Sequence, residues 1–231
     1  MKLNTNSNSY IIIYSAILVV VVAFLLAFIF KALKPMQDAN VALDVKKQIL
    51  YSLNIRDLDG AEAEAKYAEV VKEEKDEAGQ KVYLCNIDGE DVCVYSLKGM
   101  GLWGGISGYV AIHDQDGPKV YGAYFNHESE TAGLGAEIKD SQAWQESFNG
   151  KRVFADDGSV VLSVVKKVDD PETQVDCVTG ATLTSNGVND MIKAGLKDAG
   201  KGFVQLSVSN QCEEGPDKEG CTDSTEVSYK N

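Results

Sequence analysis

The stretch Asp176-Cys177-Val178-Thr179-Gly180-Ala181-Thr182-Leu183-Thr184-Ser185 sets four hydroxyls within seven residues behind an acid, and puts almost no bulk in front of Thr182. The chemistry this spacing suits is esterification. A hydroxyl on a loop, preceded by Gly180 and Ala181, can be reached by a second active site and joined to a phosphate. The anion then needs a resting place, and Thr184, Ser185 or Asn186 could each N-cap a helix running to about Ala199, whose free N–H groups and positive dipole end would face it. Taken alone, a Thr/Ser cluster before an apolar-periodic segment is an ordinary helix start. The full pattern, an acid, then hydroxyl-Gly-Ala-Thr, then another hydroxyl, arises by chance on the order of once in ten thousand chains of this length.

Other chemistries leave no trace. The chain has no Ser/His/Asp arrangement or HExxH pair that argues for hydrolysis, no dinucleotide-binding glycine fingerprint beside a suitable strand, and no C-x-x-C pair. No catalytic residue and no metal ligand is assigned. His127 could serve a proton or redox role, but His127 and His113 also read as satisfied strand-end histidines. Lys166 and Lys167 could neutralise a phosphate at the motif or simply be solvated.

The elements that must position the motif begin with an anchor. From Tyr10 to Phe30 runs an apolar segment of about 21 residues whose only clearly polar member is Ser15, long enough for a bilayer core. A signal peptide is the alternative, but the run exceeds an h-region and Phe30-Lys31-Ala32-Leu33-Lys34-Pro35 has no small-x-small cleavage site. Lys2 lies on one side and Lys31 and Lys34 on the other, so charge alone leans towards a cytoplasmic domain. Net charge is −13; the three cations up to Pro35 face no acids, leaving 19 basic against 35 acidic side chains beyond it. Such a surface repels nucleic acid and anionic lipid.

At 231 residues, 44% hydrophobic and 25% charged, the remainder suits one globular domain. Pro35 is expected to end the membrane helix, and a juxtamembrane helix follows from about Met36 to Leu53, within a 36–58 segment. Ala61 to Lys75 predicts a solvated helix. Strands are expected at Val82 to Ile87 and Val92 to Leu97 around an Asp88-Gly89 turn, then at Gly108 to His113 and Lys119 to Phe125. A short helix at Ser141 to Phe148, a strand at Val160 to Val168, the helix Thr184 to Ala199 and a last strand at Phe203 to Val208 complete an α+β domain.

Of the five cysteines, Cys85 and Cys93 depend on register. A two-residue turn at Asp88-Gly89 puts them on opposite faces of the hairpin; a three-residue loop makes them cross-strand neighbours. Cys212 and Cys221 bracket an acidic Gly and Pro segment that a disulfide could tie down.

Two glycine-rich loops remain, Gly99-Met100-Gly101-Leu102-Trp103-Gly104-Gly105-Ile106-Ser107-Gly108 and Glu130-Thr131-Ala132-Gly133-Leu134-Gly135-Ala136-Glu137. Each supplies backbone room and a large apolar side chain, so each could wall a planar ligand or be a turn with Trp103 and Leu134 plugging the core.

DxxTGATxT, GLWG and ETxGLG together resemble the FMN-binding domain family found in the C subunit of the Na+-translocating NADH:quinone oxidoreductase (Nqr) and the G subunit of the related Rnf electron-transport complex. The resemblance implies one N-terminal transmembrane helix (10–30) after a short tail (1–9), and a single FMN-binding domain (61–208) with a coiled, mainly antiparallel sheet and flanking helices. An acidic tail (209–231) follows. It implies FMN joined through its phosphate to Thr182 by a flavin transferase that takes FAD as donor. It also implies that Trp103 and Leu134 contact the isoalloxazine, that Glu130, Thr131, Gly133 and Gly135 shape the pocket, and that Thr179, Gly180 and Ala181 belong to the attachment motif. Ala132 stands where the family usually has proline, which removes rigidity from that loop. The implied setting is a bacterial inner membrane with the flavin domain on the periplasmic side, opposite to the lean of the lysine count. The implied partners are the other Nqr subunits, which would hold the NADH site and the sodium path. GLWG followed by SGYVAI favours Nqr over an Rnf-type G subunit. An anchored binding or structural module without flavin is the alternative from another class.

Overall fold

The computed structural model describes residues 7–77, 80–114 and 117–200. The expected strand Phe203 to Val208, the tail with Cys212 and Cys221, and Lys2 lie outside these residues. The chain divides between Lys46 and Lys47 into two units.

The described residues of the first unit are almost all helical. Asn8–Ser52 forms one helix of 45 residues (α1), long and apolar enough by length and composition to cross a membrane. Contrary to the expectation from Pro35, the helix does not end there but runs through it. Proline forfeits its own N–H bond and crowds the carbonyl one turn back, but good helix formers such as Lys31, Ala32, Leu33, Met36 and Gln37 flank it and carry the helix through. An ion pair between Lys34 and Asp38, 2.8 Å long, spans the position.

In the second unit the last turn of α1 buries Ile49 and Leu50, with Leu53 just beyond it. The chain stops helically at Asn54, whose φ is 59° and whose amide donates to the Tyr121 carbonyl at 2.8 Å. Gly60–Val70 (α2) starts on a capping box: Asp59 accepts from the Glu62 N–H and Glu62 reaches back to the Asp59 N–H. The helix expected to Lys75 is cut short, because Val71–Glu77 is a strand (β1) paired with Gln80–Ile87 (β2). Its charged side chains suit a sheet edge, where one row of the backbone meets water.

Glu90–Met100 (β3), Gly105–Asp114 (β4) and Pro118–His127 (β5) complete a five-stranded antiparallel sheet in the order β1-β2-β3-β4-β5. Asp88 and Gly89 take φ of 52° and 90°, as a two-residue hairpin turn needs. The resulting register pairs Cys85 with Val92 and Leu84 with Cys93, so the two cysteines face opposite ways, and none of Cys85, Cys93 and Cys177 is in a disulfide.

Glu137–Asp140 (α3) and Gln142–Glu146 (α4) follow, the latter capped by the Ser141 hydroxyl. Ser163–Val165 (β6) and Gln174–Asp176 (β7) form a small parallel pair. The strand expected over Val160 to Val168 is shorter because Val161 and Leu162 give their N–H groups to the Val153 carbonyl, and Lys166 and Lys167 turn out to solvent. Thr182–Gly195 (α5) packs against the sheet. One core joins them: Val110, Ile112, Val120 and Phe125 from the sheet meet Phe148, Val188, Met191 and Ile192. Phe125 sits 5.6 Å from Trp144 and 5.1 Å from Phe148, centroid to centroid. The class is α+β, with an antiparallel sheet and helices beside a long apolar helix.

Candidate functional site

Three segments far apart in the chain meet at one corner of the sheet. The first is the β3–β4 connection. Met100 pairs with Gly105, and Gly101 N–H bonds the Gly104 carbonyl at 2.8 Å. A turn this tight has no interior for side chains, so Leu102 and Trp103 project outward, Trp103 to 67% exposure.

The second segment leaves β5. The Glu128 N–H binds the Gly105 carbonyl at 3.0 Å and the Ser129 hydroxyl binds the Trp103 carbonyl at 3.1 Å, stitching this loop to the first. The Thr131 carbonyl accepts from both Leu134 N–H and Ala136 N–H, which closes the turn through Gly133 and leaves Leu134 exposed. These bonds hold the loop without a proline at Ala132.

The third is the hydroxyl-rich motif. The Trp144 indole N–H donates to the Asp176 carbonyl at 2.8 Å, tying down its start. Gly180, at φ 78°, turns the chain beside Leu134; a Cβ there would stand 2.9 Å from Leu134 Cδ2. The helix then opens earlier than expected: Thr182 is its first residue, Ala181 occupies the cap position and no side chain caps it. Thr184, Ser185 and Asn186 are therefore not N-caps. The Thr184 hydroxyl bonds across to Glu130 and the Ser185 hydroxyl back to Val178 in the same segment, and the first-turn N–H groups keep no side-chain capping acceptor.

One side chain joins all three segments. Glu130, only 7% exposed, accepts from the Trp103 N–H through Oε1 at 2.8 Å and from the Thr184 hydroxyl through Oε2 at 2.6 Å. Burial pushes its pKa up, but the Thr184 hydroxyl and the N–H groups of Trp103, Gly104 and Leu102 outweigh this and hold it below the usual carboxylate value. Gly135 makes room for the contact, since a Cβ there would lie 2.5 Å from Glu130 Oε2 and 2.6 Å from Thr184 Oγ1. The Glu130 N–H donates to His127 Nδ1 at 3.2 Å, so His127 helps to orient the loop. His113 is elsewhere, paired with Glu90 at the opposite end of the β3–β4 hairpin.

The hydroxyls sort themselves by burial. Thr184 and Ser185 are buried and engaged, Ser185 Oγ accepting the Val178 N–H at 3.1 Å. Thr182 is half-buried and, among the described residues, its hydroxyl makes no bond; Thr179 and Gly180 are exposed and Ala181 is buried. Around Thr182 the surface is unusually apolar, with Met100, Leu102, Trp103, Leu134 and Leu183 all exposed. Such a cluster at uncapped helical N–H groups suits a ligand with a flat apolar ring system and a phosphate. Met100, Leu102 and Leu183 were not singled out by sequence reading; their placement beside glycines in these loops was the available signal.

The FMN-binding domain family matches residues 101–197, which contain the second and third segments and the first from Gly101 onward. The C subunit of the Na(+)-translocating NADH-quinone reductase of Haemophilus ducreyi is 41% identical over 130 residues, covering 56% of this chain and 46% of that protein. The chain thus spans about half the length of the curated relatives it matches. The crystal structure of the C subunit of the same reductase from Parabacteroides distasonis aligns with a TM-score of 0.65 at 32% identity, over 74% of this chain and 96% of that one. Shewanella oneidensis NqrC, 20% identical over 69% of this chain and 97% of its own, shares the fold with a TM-score of 0.56. Being 32% identical to the Parabacteroides distasonis subunit over 96% of its length, this chain belongs to the NqrC family, the C subunits of the Na(+)-translocating NADH-quinone reductase.

Proposed function

We propose that this chain is a membrane-anchored flavoprotein subunit of a Na+-translocating NADH:quinone reductase that carries FMN through a phosphoester on Thr182 and relays electrons between neighbouring subunits. The observation that carries this reading is the Glu130 junction. It draws the Trp103 loop, the Leu134 loop and the first turn of α5 together around an available hydroxyl.

Each part of the corner has a task. Thr182 Oγ1 is the attachment atom: a flavin transferase would form the new P–O bond there while the pyrophosphate bond of FAD breaks and AMP leaves. The uncapped N–H groups of Thr182, Leu183 and Thr184 suit the resulting phosphate. Trp103, Leu134 and Leu183 offer apolar walls, and Thr131, Gly133 and Gly135 shape the loop between them. Bound FMN would supply the one- or two-electron chemistry, so the protein needs no acid, base or nucleophile of its own in the working enzyme. The apolar part of α1 would cross the bacterial inner membrane with the flavin domain on the periplasmic side, and other subunits of the complex would supply the NADH and quinone sites. The matched relatives favour this over an Rnf-type G subunit or a flavin-free module.

The test is co-expression of the full chain with a flavin transferase exported to the periplasm. The wild type is expected to give a fluorescent band on a denaturing gel and an intact mass raised by one FMN. Thr182→Ala should abolish both, while Thr179→Ala keeps them. A dark wild-type band at the bare polypeptide mass sinks the proposal.

A further inference from the structure

Among the described residues Glu130 is the only charged side chain that is buried. Burying an ionised carboxylate costs several kcal/mol unless donors surround it. Here the Trp103 N–H and the Thr184 hydroxyl, itself 1% exposed, provide them. The depressed pKa keeps the group ionised at neutral pH.

A charge is not required to tie these segments together. A glutamine could accept the Trp103 N–H through its carbonyl oxygen and donate its amide to the Thr184 oxygen. What glutamine cannot supply is a fixed negative charge, and because Glu130 is only 7% exposed its charge is screened less than that of a carboxylate in open solvent. Such a charge acts on any further charge that arrives beside it. An electron added to a flavin without a proton makes the ring system one unit more negative, and a carboxylate nearby opposes that addition.

We infer that Glu130 is a positioning residue with a second role: it joins the Trp103 loop to α5, and its fixed charge lowers the reduction potential of a flavin carried on Thr182. The inference rests on the FMN reading of the site. Thr184 is part of the same device, because its hydroxyl spreads the negative charge it binds.

The experiment is an anaerobic redox titration of the flavinylated full chain, with dithionite as reductant and ferricyanide as oxidant through mediators, followed at the flavin absorbance. Glu130→Gln should shift the midpoint to a more positive potential. Thr184→Val, which keeps the charge and removes one donor to it, should shift it to a more negative one. A purely geometric junction would loosen in both variants and move both in the same direction, so shifts of equal sign, or an unmoved Glu130→Gln, overturn the inference while leaving covalent FMN intact. If Glu130→Gln accepts no flavin, Thr184→Val decides alone: a fall supports the inference, and no change or a rise overturns it. A wild-type chain that carries no flavin overturns both readings together.

Discussion

Along β4 and β5 the apolar side chains go inside, and Val110, Ile112, Val120 and Phe125 lose essentially all contact with water. A few residues on, where the same strands turn towards α5, the assignment is reversed. Met100, Leu102, Trp103, Leu134 and Leu183 stand in solvent while Glu130, Thr184 and Ser185 are buried. The sheet is organised for its own stability, since apolar burial is the main favourable contribution to folding. The corner is organised differently: its apolar surface is held outward by a polar junction beneath. An inverted distribution of this kind separates a scaffold from a site more clearly than any single residue type does.

The sheet side of the comparison carries the largest expected effect. Phe125→Ala removes a ring that touches both Trp144 and Phe148 in the core, and a cost of about 3–5 kcal/mol is expected. Chemical denaturation of the full chain in detergent reads it. A cost near zero would mean that the sheet is no more of a scaffold than the corner.

Gly135→Ala tests the junction itself. The added methyl would fall within 2.6 Å of both Glu130 Oε2 and Thr184 Oγ1, so one of the two must move and their hydrogen bond lengthens or breaks. Overpacking of this kind costs roughly 1–3 kcal/mol. The same denaturation series should place this variant between Phe125→Ala and wild type. A variant as stable as wild type would show that the Glu130–Thr184 contact is not held tightly.

The two regions also differ in how much of them the sequence revealed. Asp88-Gly89 between two β-rich runs is a local signal of the hairpin, but the choice between a two- and a three-residue loop, and with it the facing of Cys85 and Cys93, rests on the backbone that the pair adopts. Local signals also misled. The continuous helix-favouring run from Ala61 concealed β1, because an edge strand draws its stability from pairing rather than from its own composition. Pro35 reads as a stop locally, yet the turns on either side carry the helix past it. At the corner, the TGAT motif and both glycine-rich loops were legible as segments, but not the bond that joins them. Glu130 and Thr184 are 54 residues apart, and no periodicity links a loop acid to a hydroxyl expected to cap its own helix. With Thr184 drawn to Glu130 and Ser185 to Val178, the helix opens at Thr182 instead.

Trp103→Ala should change stability least and the site most. A tryptophan that plugged a core would cost about 3–5 kcal/mol to remove. Trp103 is 67% exposed and only its backbone is held, by Glu130 at its N–H and Ser129 at its carbonyl. Truncation should therefore leave the flavin-free chain within about 0.5 kcal/mol of wild type by denaturation. On the attachment proposed for Thr182, whose hydroxyl lies outside the Trp103 loop, the variant should still carry one FMN by mass. An indole beside the ring quenches flavin emission, so the folded variant should fluoresce more brightly than wild type, with the difference vanishing once both are denatured. A loss of more than about 1 kcal/mol without flavin would assign Trp103 to the core. Unchanged emission in the folded state would remove it from the flavin wall, and either result would end the contrast between sheet and corner at the residue that displays it most.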